Sequence, residues 1–486
     1  MSSIQDLEPR GIWKNFYALT RIPRPSGHLE KVQQFLLDWA AERHIEAFKD
    51  DAGNIIMRKP ATPGLEHLTT ITMESHMAKV PQKDVDSTHD FINDPIETYI
   101  DGDWVKAKGT TLGSDDGIGA ATAMAVLEAS DLKHGPIEAL YTVDEETTMY
   151  GVNHLSPDTL KGEILLNLDN ETEGDIIVGS AGGEGIEPSM EYQEVESQPD
   201  FISVEIAIKG LKGGHSGLEI DLGRANANKL IARFVLDAIK KTNAELALWE
   251  GGDMWNAIPN HARAVLNIAK DQQETLATLA ADWLLVFRKE QEGVEDDLSL
   301  TISTTEKVEK IVPEEIRDNL VNAIMGCPSG VARMIPSAPT ITETSCNLGI
   351  VKIGNGVAKA NILVRSSCDS QLEALENSIE AIFSMAGMKC ERSGRYGSWS
   401  PNFSSPIVKT TERVYTDLFG QAPSVKVVHA GLECSVIGSI YPKMDMVSFG
   451  PTLRSPHTPF ERCNIPSVAK YWQFVVALLE NIPAKQ

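Results

Sequence analysis

LTTITMESH (68–76) and IEALYTVDEE (137–146) decide the fold. Each is a short run rich in β-branched and apolar residues that ends on ionisable side chains. The first ends on His76, and the second on Asp144, Glu145 and Glu146. A third run, EILLNLD (163–169), ends in the same way on Asp169. Between the first two, GIGAATAMAVLEAS (117–130) reads as a helix packed closely through small residues. NIIMR (54–58) adds another strand upstream. Strands alternating with helices imply an α/β unit with a largely parallel sheet, and such sheets bind ligands outside the carboxyl ends of their strands.

On the amino-terminal side two amphipathic helices are expected. The second carries the buried stripe Val32, Phe35, Leu36, Trp39 and Ala40, and RIPRPSG (21–27) breaks the helix between them. Downstream, MEYQEVESQPDF (190–201) is polar and turn-prone, a plausible crossing between domains. Alternating one-sided strands such as ISVEIAIKG (202–210) follow, with the long helix NANKLIARFVLDAIKKT (226–242). One-sided strands with helices on one face describe an α+β layer. The expected arrangement is an α/β domain built from residues 1–190 and 394–486, with an α+β domain over 191–393 inserted between them.

Composition narrows the function. Acidic residues outnumber basic ones by 69 to 44, giving a formal charge of −25, which repels nucleic acid and anionic membrane surfaces and favours cations. No uncharged apolar run is long enough to span a bilayer, and MSSIQDLEPR lacks the basic and apolar regions of a secretion signal. A cytoplasmic protein is therefore expected. Six scattered cysteines form no CxxC, and HExxH, GxSxG and the P-loop pattern do not occur.

Two further segments reach the same sheet edge. Asp115 and Asp116 lie in TTLGSDDGIG (110–119), just before the small-residue helix. His457 lies in the loop of MDMVSFGPTLRSPHTPFE (444–461). Any one of these acids is as readily a turn residue or a helix cap. Five such positions at strand ends are harder to explain that way, because so many carboxylates repel one another unless cations offset them. Histidine and carboxylate ligands without cysteine suit zinc, manganese or cobalt, and two metals sharing a carboxylate are one arrangement.

The chain resembles, end to end, the bacterial Xaa-His dipeptidases (aminoacylhistidine dipeptidases, carnosinase-like) within the dizinc peptidases and amidohydrolases. The matching stretches include VPQK (80–83), GTTLG (109–113), GLKGGHSG (210–217), NAIP (256–259), HAGLEC (429–434), MDMVS (444–448) and PHTP (456–459). The resemblance implies a zinc-peptidase catalytic domain, a mixed sheet with flanking helices, carrying an inserted α+β lid and dimerisation domain. It implies two divalent ions, zinc first and cobalt or manganese as alternatives. His76, Asp115 and Asp169 would hold one ion, and Asp115, Glu146 and His457 the other. Glu145 would be the general base. His215, Asn256, Arg365 and Glu433 would meet the substrate, His215 in the neighbouring subunit's site. The implied activity is hydrolysis of Xaa-His and other short dipeptides by a cytoplasmic homodimer.

One departure from that family's pattern stands out. Where the pattern has His-x-Asp, this chain has His76-Met77-Ala78, followed by Lys79. The missing Asp would orient the ligand histidine, and losing such a partner costs about 10–100-fold in metal affinity or activity. Glu74, on the same strand face as His76, is a candidate substitute. The alternative reading is thus a non-catalytic or weakened paralogue acting as a binding protein. An N-acyl amidohydrolase is a third reading, and Glu433 speaks against it because it suits a free amine.

Overall fold

The computed structural model describes residues 3–485. The chain divides into two compact units. One comprises the residues up to Gly179, Pro401–Val427 and those from Leu432 on; the other comprises Ser180–Ser400 with Val428–Gly431. Among the described residues no helix is long and apolar enough to cross a membrane.

The first unit is built on an eight-stranded sheet. Its order is Glu46–Lys49, Ile55–Lys59, Ile137–Thr142, Ile71–His76, Ile164–Asn167, Asp445–Ser448, Asp175–Ser180, Ser424–Val428. The four central strands are parallel. Glu46–Lys49, Ile55–Lys59 and Asp175–Ser180 pair antiparallel with their neighbours, so the sheet is mixed, as the family resemblance implies, and not the largely parallel one suggested by strand–helix alternation alone. The reason on one flank is chain length, because residues 50–54 can close a hairpin but not a crossover.

Ile71–His76 and Ile137–Thr142 are buried along their whole length, as central strands covered on both faces must be. Helix Ser114–Glu128 has non-helical backbone at Asp115 and Asp116, and beyond them it is buried on every side from Gly117 to Leu127, where only Thr122 is polar. Its small residues let neighbours approach closely: a Cβ placed on Gly11 of helix Arg10–Thr20 would lie 3.3 Å from the Ala125 Cβ. A small sheet, Leu453–Arg454, Arg462–Asn464, Trp104–Ala107 and Thr98–Asp101, anchors both ends of the loop that carries His457.

The second unit holds a nine-stranded antiparallel sheet. Its main path runs Ser299–Thr304, Phe201–Lys209, Ala262–Ala269, Glu245–Gly251, Ala338–Gly354, Val357–Ser366, Gly182–Glu191, Lys389–Tyr396, with Gly330–Ile335 pairing Ala338–Gly354. Helices Ala227–Thr242, Gln273–Glu290, Glu314–Gly326 and Asp369–Met385 contribute to one core with it. The alternation in strands such as Phe201–Lys209 provides the buried face, and the 3.6-residue stripe of Ala227–Thr242 provides its cover.

Candidate active site

The parallel strands of the first unit deliver their carboxyl ends side by side. His76 is the last residue of its strand, Glu145 and Glu146 open the short helix after Ile137–Thr142, and Asp169 lies two residues past Ile164–Asn167. Asp144, at φ 52°, and His457, at φ 59°, both adopt the left-handed region that side chains other than glycine rarely take. Such backbone persists where surrounding structure enforces it, and it clusters at functional sites.

Asp115 stands at the centre. Its Oδ1 lies 3.2 Å from His76 Nε2, and its Oδ2 lies 3.0 Å from His457 Nε2. Each oxygen of one carboxylate therefore faces a different imidazole. Glu146 spans the same two rings, with Oε2 2.9 Å from His457 Nε2 and Oε1 3.8 Å from His76 Nε2. Asp169 Oδ1 and Glu145 Oε2 lie 3.8 and 3.9 Å from His76 Nε2. Ligand atoms of His76, Asp115 and Glu146 all fall within 4.8 Å of one another. The donor set, imidazole and carboxylate without thiol, fits divalent ions, and the buried Glu146 Oε1 has no hydrogen-bond partner in the protein.

The protein's own charges are badly balanced here. Burial opposes charge on His76, yet Asp115, Glu145 and Glu146 outweigh it and push the imidazole up to about 10. Hydrogen bonds to Asp115 and Glu146 push His457 up to about 11. Burial, with Glu146 and Asp115 adding to it, pushes Glu145 up to about 7. Asp169 is driven well above the usual carboxylate range by burial and then by Asp116 and Asp115. Cations are what such a cluster lacks.

His76 Nδ1 meets the Ala78 carbonyl at 3.1 Å, so the ring is oriented by backbone. Glu74 does not take that role: it accepts from Asn167 and lies beside Glu433. Glu433 is buried at the start of helix Glu433–Ile440 and accepts from Thr142 Oγ1 at 2.7 Å. Lys79 points its Nζ at the Thr111 carbonyl and the Phe91 ring, and burial and then Arg24 push its amine down to about 7.

Sequence reasoning missed Glu461. Its carboxylate accepts from the amides of Leu112 (2.8 Å), Gly113 (3.0 Å), Ser114 (2.7 Å) and Asp115 (3.3 Å), and from Ser114 Oγ (2.6 Å). It ties the His457 loop to the Asp115 loop. The available signal was an acid in the same PHTPFE segment as His457, without any hint of its partners.

The second unit brings His215 and Arg365 together. His215 Nδ1 accepts from the amides of Gly217 (3.1 Å) and Leu218 (3.0 Å), which leaves the ring proton on Nε2 as a free donor. A Cβ on Gly217 would lie 3.1 Å from both Arg365 Nε and His215 Cε1. The Arg365 guanidinium donates to Tyr396 OH at 2.6 Å, while its buried Nε has no partner. Asn256 joins through backbone, its carbonyl accepting from Ser216 N at 3.0 Å. His429 is buried beside them, its Nε2 2.7 Å from Ser345 Oγ.

Residues 72–481 match the family described as Peptidase family M20/M25/M40. The chain is 38% identical over 485 residues to the cytosol non-specific dipeptidase of Escherichia coli (strain K12), covering all of both chains. Among solved structures, aminoacylhistidine dipeptidase from Vibrio alginolyticus superposes with a TM-score of 0.95 at 39% identity, over 100% of this chain and 99% of that one. Aminopeptidase PepT from Bacillus cereus ATCC 10987 shares the fold at a TM-score of 0.56 and 17% identity, over 98% and 99% of the two chains.

Proposed function

The chain belongs to peptidase family M20/M25/M40, and on that footing we propose that it is a metal-dependent dipeptidase cleaving Xaa-His and other short dipeptides. The observation that carries the reading is Asp115, whose two oxygens face the two imidazoles at 3.2 and 3.0 Å, with Glu145 beside them. His76, Asp115 and Asp169 would hold one ion, and Asp115, Glu146 and His457 the other. Bound there, divalent ions supply Lewis acidity and lower the pKa of water toward neutrality.

The chain's own residues do the rest. Glu145, beside the proposed ligands, takes a proton from the attacking water. As the peptide C–N bond breaks, Glu145 hands that proton to the leaving amine. His215 donates Nε2–H to a substrate oxygen, where negative charge develops. Arg365 binds the substrate's free carboxylate, aided by Asn256, which limits the enzyme to short peptides. Glu433 receives the free amine.

The reading extends to zinc as the native ion, with cobalt or manganese as substitutes. It extends also to the cytoplasm and to a homodimer in which the inserted unit is lid and dimerisation domain. The non-catalytic alternative rested on Ala78, and the Ala78 carbonyl at 3.1 Å from His76 Nδ1 weakens it. The deciding experiment loads the protein with Zn2+ and assays carnosine with a dipeptide panel. Hydrolysis that vanishes in Glu145→Gln while metal stays bound supports the proposal. Metal-loaded protein that cleaves no dipeptide overturns it.

A further inference from the structure

Arg24 lies in the RIPRPSG turn between the first two helices, 2% exposed. A buried guanidinium is ordinarily matched by a carboxylate hydrogen-bonded to it. Here every hydrogen bond goes to a backbone carbonyl: Met77 O at 3.0 Å, Ala78 O at 2.9 Å and Gly113 O at 2.5 Å. Glu461, Asp116, Asp115 and Glu146 act on it through their charge. Room for this arrangement is made by glycine, since a Cβ on Gly117 would lie 2.4 Å from Arg24 Nη2.

The three carbonyls are not arbitrary. Ala78 O is the acceptor for His76 Nδ1, and Gly113 lies two residues before Asp115. A carbonyl oxygen has two lone pairs, and at Ala78 both are engaged, one by the imidazole and one by the guanidinium. We infer that Arg24 is a positioning residue for the metal centre, holding the Ala78 carbonyl so that His76 presents Nε2 toward Asp115.

Arg24 does this where the chain has no carboxylate side chain at position 78. An orienting carboxylate does two things, fixing the ring and raising its basicity. A guanidinium-anchored carbonyl does only the first, because its positive charge draws electron density away from the acceptor. The centre is thus shaped correctly but holds the His76 ion more loosely than an aspartate would allow. This rests on His76 being a metal ligand, so the parent protein's own titration tests that reading separately.

The experiment is a Zn2+ competition titration against a chromogenic chelator, on variants shown to be folded by circular dichroism. Arg24→Met should lose about 10–100-fold in affinity for one ion, and Arg24→Lys about tenfold. Gly117→Ala, which leaves Arg24 in the chain but displaces its guanidinium, should also lose affinity despite the better helix former. Ala78→Asp should tighten that ion about tenfold in the parent and recover most of the loss in Arg24→Met, which a general loosening of the fold would not permit. If Arg24→Met does not fold, Arg24→Lys with and without Ala78→Asp carries the same comparison. Folded Arg24 and Gly117 variants that bind both ions like the parent overturn the inference, as does a loss that Ala78→Asp leaves unrepaired. A parent that binds no divalent ion overturns the metal centre itself.

Discussion

Replacing Glu461 by Gln should open the loop that carries Asp115. The carboxylate accepts four backbone amides and one hydroxyl, the two amides of Leu112 and Gly113 on Oε2 and the remainder on Oε1. A glutamine keeps one oxygen and turns an NH2 toward amides that can only donate. Two buried N–H groups then lose their acceptor, at about 1–3 kcal/mol each, or about 4 kcal/mol together. Because the chain has two units, whole-molecule unfolding is a poor gauge, and hydrogen–deuterium exchange of the 109–116 peptide reads the local opening directly. At about 1.4 kcal/mol per tenfold, protection there should fall about a thousandfold. The loss should be confined to this loop and its His457 neighbour. Protection within threefold of the parent would show that the Glu461 carboxylate does not hold the loop.

Asp115→Ala should remove both ions and His457→Ala chiefly one, as read by metal analysis of the purified variants; unchanged metal content in Asp115→Ala sinks the ligand assignment. In metal-free protein, the Glu145 carboxyl near 7 lies above its unfolded value, so its stabilising contribution is present at low pH and lost as pH rises through 7. Local stability around Glu145 in the parent relative to Glu145→Gln, read by hydrogen–deuterium exchange corrected for the intrinsic rate at each pH, should therefore fall by about 2 kcal/mol between pH 5.5 and 8, and a pH-independent difference would contradict the placement of that group. If His215 serves the neighbouring subunit, mixing inactive His215→Ala and Glu145→Gln dimers should regain activity, whereas proven subunit exchange without recovery places it otherwise.

What the sequence disclosed, and what it hid, follows from where each interaction is written. His76, Glu145, Glu146 and Asp169 were legible because apolar β-runs end on them, and a strand's end is where a parallel sheet collects ligands. The inserted α+β texture was legible through alternation in strands such as Phe201–Lys209. The antiparallel flanks were not, since buried strands of either direction look alike in composition. Glu461 and Arg24 stayed hidden because their partners, the Ser114 hydroxyl apart, are backbone groups, which carry no residue identity. The Ala78 carbonyl is the sharpest case: the residue type at 78 offers the imidazole no side-chain partner, and its backbone oxygen meets His76 Nδ1 at 3.1 Å.

The order of the sheet has a consequence for how the protein is made. Ile164–Asn167 and Asp175–Ser180 are neighbours along the chain, yet Asp445–Ser448 lies between them in the sheet. Both sheet neighbours of Asp175–Ser180, Asp445–Ser448 and Ser424–Val428, are synthesised about 240 to 260 residues after it, so until then the sheet ends at Ile164–Asn167. At about 5–20 residues per second, that interval lasts roughly ten to fifty seconds. Throughout it one edge of Ile164–Asn167 stands unpaired, as do both edges of Asp175–Ser180 until Ser424–Val428 is made, and His457, which arrives only after the closing strand, is still to come. Glu461, whose carboxylate holds the Asp115 loop, arrives later still, so His76, Asp115, Glu146 and Asp169 are all made long before the groups that complete their arrangement, and the proposed metal centre is expected to form only after the final segment has emerged.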